Sequence, residues 1–266
     1  VESDLRGVLV ISDGLSINGS ELSWGLNSKL SPHVVVAGGL AADGDRFRRT
    51  WIINGHERGP NNIAAVGFYG DHVKISCGSR GGWEVFGVER VITRSRGNIL
   101  YEIDGKPALE LYKRYLGPLA SGLPATALLF PLGLRRDQET KHKIIRMILS
   151  IDEKEGSMTF ADDVPEGGRV RLMRTNVDRL IDGAAEATRM ARGNETSALM
   201  ALAISCVGRR LVMGDRVDEE IEAAHDSLPN GSRLIGFYSY GEIAPHEGKP
   251  SELFNQTMTI TTWVER

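Results

Sequence analysis

The two ends of this 266-residue chain run through the same succession of elements, and nothing else in the sequence constrains the fold as strongly. Residues 7–14 (GVLVISDG) set four apolar residues in line before a Ser-Asp-Gly turn, the pattern of a buried strand. A helix is predicted over 20–30, with Ser20 as N-cap, Leu22, Leu26 and Leu30 at four-residue spacing, and Trp24 nearby. HVVVAGGLAADG reads as a second buried strand and RTWIINGHE as a third. Towards the C-terminus SALMALAISC, DRVDEEIEAAHDSL, SRLIGFYSYGEIAP and NQTMTITTW repeat this order of strand, helix, glycine-interrupted strand and strand. Such a duplication predicts an α+β (mixed α/β) protein of two related lobes, each a mixed sheet with helices outside.

Between the repeats, NNIAAVGFYGD, VERVITRS and NILYEIDG read as strands, and Pro107 opens a helix over 108–116 with Leu109, Tyr112 and Leu116 on one face. Asp104-Gly105 is the expected domain boundary, giving regions 1–104 and 105–266. Further strands are expected in PATALLFPLGL, KIIRMILSI and GGRVRLMRT, then a helix from the Asn176 cap to residue 192, ended by Gly193. The 31 glycines, about 12% against a usual ~7%, imply many tight turns. A net charge of −3 argues against a nucleic-acid footprint. No apolar run approaches the ~20 residues of a membrane span, and two cysteines make no disulfide scaffold. A cytoplasmic protein with no membrane or nucleic-acid partner is expected.

The densest polar–aromatic cluster spans 236–258. Strict alternation puts Tyr238, Tyr240 and Glu242 on one face, a wall suited to a small polar ligand, with Asn255, Gln256 and Thr257 offered by the next strand. The plainer reading is a half-exposed strand with ordinary surface side chains. In CGSRGGWEVFG, Arg80 and Trp83 among glycines could converge on an anion, or form a sharp β-corner plugged by Trp83. Cys206 beside Arg209 and Arg210 could be a thiol of lowered pKa or a small buried residue. Asp13 could stand at a strand's carboxyl end or in a solvated turn. The acidic helix 218–226 reads as a solvated face with Val217, Ile221, Ala224 and Leu228 inward. His56-Glu57 and His246-Glu247 lack the second histidine of a zinc-binding helix, so no metal site is expected.

The blocks GFYSYGEIAP and ELFNQTMTITTW, with LYKRYLG, CVGRRLVMG and GSRGGWEVFG in the same order, resemble the FIST sensory domain of bacterial signal-transduction proteins. The resemblance runs from near Gly7 to Trp263 and makes 1–104 the N-terminal FIST region and 105–266 the C-terminal one. It implies a non-catalytic sensor of small ligands, amino acids among them, whose shift in lobe arrangement is read by a signalling partner such as a histidine kinase or cyclic-nucleotide enzyme. On the family's motifs, Tyr238, Tyr240, Gly241, Glu242, Asn255, Gln256 and Thr257 are the matching positions. Some family members resemble haem-binding nitric-oxide sensors. That alternative would use His246 or Cys206, because Phe254 stands where members often carry histidine. A hydrolase-like enzyme using Asp13 or Glu242 is a further alternative. An upstream strand–helix segment usual in the family is not seen before GVLVISDG, so the N-terminal region is expected to be incomplete.

Overall fold

The structure, a computed structural model, describes residues 4–135, 144–160, 162–245 and 250–265. The chain forms two compact units, one of Val1–Gly82 with Val177–Arg266, the other of Trp83–Asn176. The first unit opens with β1 (Leu5–Ser12), α1 (Gly19–Lys29), β2 (Val35–Ala41), a short ribbon of β3 (Ile52–Asn54) and β4 (Glu57–Gly59), β5 (Ile63–Tyr69) and β6 (Val73–Arg80). The second unit holds β7 (Glu84–Arg96), β8 (Ile99–Ile103), β9 (Lys106–Pro107), α2 (Ala108–Leu116), β10 (Leu132–Arg135), β11 (Ile144–Arg146), β12 (Ile148–Asp152), β13 (Ser157–Phe160) and β14 (Arg169–Arg174). The chain then completes the first unit with α3 (Val177–Arg192), β15 (Met200–Cys206), α4 (Val207–Met213), α5 (Val217–Asp226), β16 (Arg233–Pro245), β17 (Ser251–Phe254) and β18 (Met258–Glu265). The class is α+β, as the alternation of strand and helix patterns implies.

Both copies of the repeat lie in the first unit, side by side in one mixed sheet of order β5-β1-β2-β16-β15-β18-β6. Within each copy the first two strands pair parallel, β1 with β2 and β15 with β16. The third strand, β5 or β18, joins antiparallel on the outer side. The halves meet where β2 and β16 pair antiparallel. The counterpart of β18 is therefore β5, and not RTWIINGHE, whose β3 belongs to a separate two-stranded ribbon.

Helices cover one face of this sheet. Leu22 and Leu26 of α1, with Leu30 just past its end, pack on Val10, Val36 and Leu40, while Ala184, Ala187 and Ala191 of α3 pack on Ala201, Ala203, Met258 and Ile260. The cap of α1 is Asn18, whose Oδ1 accepts the N–H groups of Ser20 and Glu21, two residues earlier than the Ser20 cap expected. Trp24 is 73% exposed and adds nothing to the core. The sheet curls strongly over its other face. Trp263 of β18 meets Phe68 of β5 at 5.4 Å, and a Cβ on Gly7 of β1 would stand 2.4 Å from Ile75 of β6.

The second unit is an antiparallel sheet of order β11-β10-β14-β7-β8-β13-β12, with β9 beside β8. Leu109, Tyr112 and Leu116 of α2 close its core against Ile92, Leu100, Leu132 and Phe160. The expected strand PATALLFPLGL splits into a 3-10 turn, Ala125–Leu129, and β10.

Candidate functional site

The sequence-selected residues of 238–257 lie where the two halves of the first sheet meet. Ala41, at the end of β2, and Cys206, at the end of β15, both pair with Ser239 of β16. The carboxyl ends of two parallel strands thus converge from opposite directions on one point, and in open α/β sheets ligands gather at such ends. At that point β16 bulges. Ser239 pairs with Ala41 but Gly241 with Leu40, so Tyr240 is an extra residue in the register. A bulge interrupts the two-residue alternation of a strand. Tyr238 and Tyr240 stay on the helix-covered face, whereas Glu242 turns to the opposite face beside Ser239. The common face that alternation gave to Tyr238, Tyr240 and Glu242 is therefore corrected to two polar sets, one on each side of the sheet.

On the helix side, the Tyr240 hydroxyl donates to Asp43 and lies 2.9 Å from the Gly44 carbonyl, and its ring stacks on Phe47 at 4.6 Å. Burial would raise the Asp43 pKa, but Tyr240 and the N–H groups of Arg48 and Arg49, each at 3.0 Å, hold it down to about 2. The Tyr238 hydroxyl donates to Glu220 of α5 at 3.1 Å, and Arg210 sits 5.2 Å over its ring. Glu220 is fully buried. It accepts from Ser205 at 3.0 Å and from both Nε and Nη2 of the equally buried Arg209, which also donates to the carbonyls of Gly81 and Leu180 at 2.8 Å. Here the solvated-face reading of α5 is corrected: Glu220 lies inside, and Ile221 is 38% exposed.

On the concave side, Glu242 has no exposed surface. Ser239 Oγ donates to it at 2.6 Å, Thr257 Oγ1 at 2.8 Å and Thr257 N–H at 3.3 Å. Burial pushes its carboxyl up to about 8, although those donors pull the other way. Asn255 donates from Nδ2 to the Tyr240 carbonyl at 3.1 Å, which fixes its amide orientation and leaves Oδ1 buried without a partner. Gln256 adopts φ +62° against Gly208, where a Cβ would press to 2.4 Å from its side chain. Cys206 is fully buried and its thiol is pushed up by that burial, so it is the small buried residue and not an activated thiol.

The remaining candidates fall elsewhere. Arg80 pairs with Glu186 of α3 at 2.8 Å, and Trp83 begins the second unit. The glycines around Arg80 serve close packing: a Cβ would meet the carbonyl of Ala187 at 2.1 Å from Gly78 and that of Arg179 at 2.3 Å from Gly82. Asp13 accepts N–H groups from Leu15, Ser16 and Asn61 and the hydroxyl of Thr50, which outweigh burial and lower its pKa. Such a carboxylate staples three loop segments and makes a poor general base. His246 and Glu247 lie outside the described residues. A cleft of about 680 Å³ opens at the amino ends of β15 and β16, lined by Leu199, Met200, Arg233 and Trp263 among others, and holds none of the residues selected from sequence.

Fold and site together define a two-unit α+β protein whose polar groups gather at the seam of a duplicated mixed sheet. Residues 2–106 match the FIST N domain and residues 108–245 the FIST C domain, so the chain belongs to the FIST family, whose domains are sensory domains of signal transduction and not a known catalytic family. Those family regions meet at 106–108, whereas the compact units divide at 82/83 and 176/177. The chain is also 25% identical over 239 residues to an uncharacterized protein of Methanocaldococcus jannaschii, an overlap of 79% of this chain and 45% of that one. It thus spans less than half the length of that relative. Among the described residues no helix is long and apolar enough to cross a membrane.

Proposed function

We propose that this chain is a ligand-binding sensory module that takes a small polar metabolite, such as an amino acid, at the β16 seam and performs no chemistry on it. The observation that carries this reading is Glu242, a buried carboxyl standing where the carboxyl ends of β2 and β15 converge. Burying a carboxyl without a cationic partner costs several kcal/mol, and a fold retains such a group readily where a ligand compensates it. Asn255 Oδ1, buried without a partner two residues before Thr257, adds a second acceptor at the same seam. A signalling protein such as a histidine kinase or cyclic-nucleotide enzyme is the expected reader of the bound state, in a cytoplasmic setting. Because the Tyr240 hydroxyl and ring hold the 43–49 loop through Asp43 and Phe47, a ligand that moves the bulge moves that exposed loop with it.

The test is a thermal-shift screen of the chain against the common amino acids and other small polar metabolites. A ligand at a hundred times its Kd stabilises by ~2.7 kcal/mol, a rise of roughly 5–10 °C for a protein of this size. Glu242→Gln should remove the shift while the variant's own melting transition stays cooperative. A ligand whose shift persists undiminished in folded Glu242→Gln would place binding elsewhere and overturn the site.

A further inference from the structure

The first sheet has two outer strands, and they are treated differently. β6 carries Lys74 and Arg80 and is packed under α3, to which Arg80 is tied by Glu186. Among the described residues β5 is paired only on its β1 side in the sheet, and its seven residues, IAAVGFY, include no charge and no proline. Those are the usual means by which an edge strand is kept from pairing with another chain. Ile63, Val66 and Tyr69 are 43%, 55% and 48% exposed, so apolar surface is open on both faces of the strand. Trp51 and Ile53, from the neighbouring ribbon, are 46% and 62% exposed and extend the same apolar surface.

We propose that the free edge of β5 is an interface at which a second copy of this chain pairs antiparallel, joining two sheets across a two-fold axis. The charge pattern selects the occupant. A strand added to β5 meets no charged side chain along seven residues, so it must itself be neutral and apolar, and this chain's own β5 meets that demand. Antiparallel pairing about Val66 sets Ile63 opposite Tyr69, Ala64 opposite Phe68 and Ala65 opposite Gly67 of the partner, so no two large side chains meet in the inner positions beside the axis. Asn61 and Asn62 on one side and Asp71 on the other fall outside the paired segment, so no like charges oppose each other within it. A two-fold contact of this kind is closed, since each β5 is consumed by the other, and it produces dimers without filaments.

Sedimentation velocity on the purified chain at tens of micromolar should give a dimer. The Val66→Lys and Val66→Glu variants each set like charges against each other at the axis, and each should be a folded monomer, with Kd raised at least about tenfold. An equimolar mixture of the two should recover the dimer, because Lys then faces Glu across the axis. Circular dichroism and a cooperative melt confirm that the half-exposed position tolerates each change. Should either variant unfold, Ala65→Lys with Ala65→Glu gives a weaker form of the test, because each Ala65 faces Gly67 of the partner and lies diagonal to the partner's Ala65, within reach of a long side chain. A monomeric wild type, variants that remain dimeric, or a mixture that stays monomeric would each overturn the proposal.

Discussion

Replacing Glu242 by glutamine should change the stability of this protein little at pH 5 and raise it above wild type at pH 8 to 9. The carboxyl has no solvent exposure and titrates near 8 when folded, against an ordinary value of 4.5. Below pH 4.5 both states carry the proton and its contribution is fully present. Between 4.5 and 8 the unfolded chain has released the proton while the folded chain keeps it, so folding takes one up. Wild-type stability then falls by roughly 1.4 kcal/mol per pH unit, towards a ceiling of about 5 kcal/mol at pH 8. Glutamine mimics the protonated acid and does not titrate. Its NH2 group must share space with the Ser239 and Thr257 donors, which adds a constant penalty of about 1 kcal/mol that pH does not alter. The protonated acid avoids it, because Ser239 can accept from the carboxyl and turn its own hydrogen to the Ser205 carbonyl at 3.5 Å.

The informative quantity is therefore the slope of the wild-type minus variant difference. Urea unfolding followed by circular dichroism at pH 5, 6, 7, 8 and 9 measures it, and titrations common to both proteins cancel on subtraction. Asp13 and Asp43, whose pKa values lie below 3.8, contribute nothing across this window. A difference that stays flat within about 0.5 kcal/mol from pH 5 to 8 would show that Glu242 is ionised in the folded protein throughout. Burial would then not dominate its environment, and the argument for a carboxyl awaiting a ligand would fail with it.

Two further perturbations probe the helix side of the seam. Arg209→Ala leaves Glu220 buried with Ser205 and Tyr238 as its remaining donors among the described residues and removes a hydrogen bond from each of two carbonyls, so it should destabilise by about 3–5 kcal/mol and lower Tm by roughly 6–20 °C. Arg210→Ala, on the exposed neighbour, should lose less than about 1 kcal/mol, and equal losses for the two would contradict the stabilising role of the buried Arg209–Glu220 pair. Both thiols should resist alkylation in the native protein at pH 8: Cys206 is fully buried and its thiol is raised furthest, and Cys77, though only partly buried, has its thiol pushed up to about 12. Mass spectrometry after a short N-ethylmaleimide pulse should find neither labelled without urea and both labelled with it; native labelling of Cys206 would restore the activated-thiol reading.

Much of this architecture is written in local pattern. The apolar run of β1, the four-residue leucine spacing of α1 and the Leu109–Tyr112–Leu116 stripe of α2 each depend on neighbours a few residues away, and each forms where the pattern places it. Two misses were also local in origin. Asn18-Gly19-Ser20-Glu21 offers a cap at Asn18 with an acid three residues on, a stronger start signal than Ser20 alone. Glu220 lies three residues after Val217 and one before Ile221, inside the inward stripe of α5, so an acid on that stripe was a visible demand for a buried cation. Arg209 meets it from a different helix, and that pairing is tertiary.

The bulge at Tyr240 belongs to another category. Nothing in GFYSYGEIAP marks it, because it is set by how β16 must pair. Up to Ser239 the strand lies parallel to β15, and beyond it antiparallel to β2 and β17, so β16 serves one half of the duplicated sheet with its first residues and the other half with its last. One extra residue at the handover is the device that carries Glu242 out of the tyrosine face and into the concave side beside Ser239 and Thr257. A reading by strict alternation therefore names the right residues and gives them the wrong neighbours. The same fact underlies the proposed site: in a strand shared by two repeats, the carboxyl ends of both can address a single side chain. A buried acid at that place is where a ligand's charge would be felt by both halves at once.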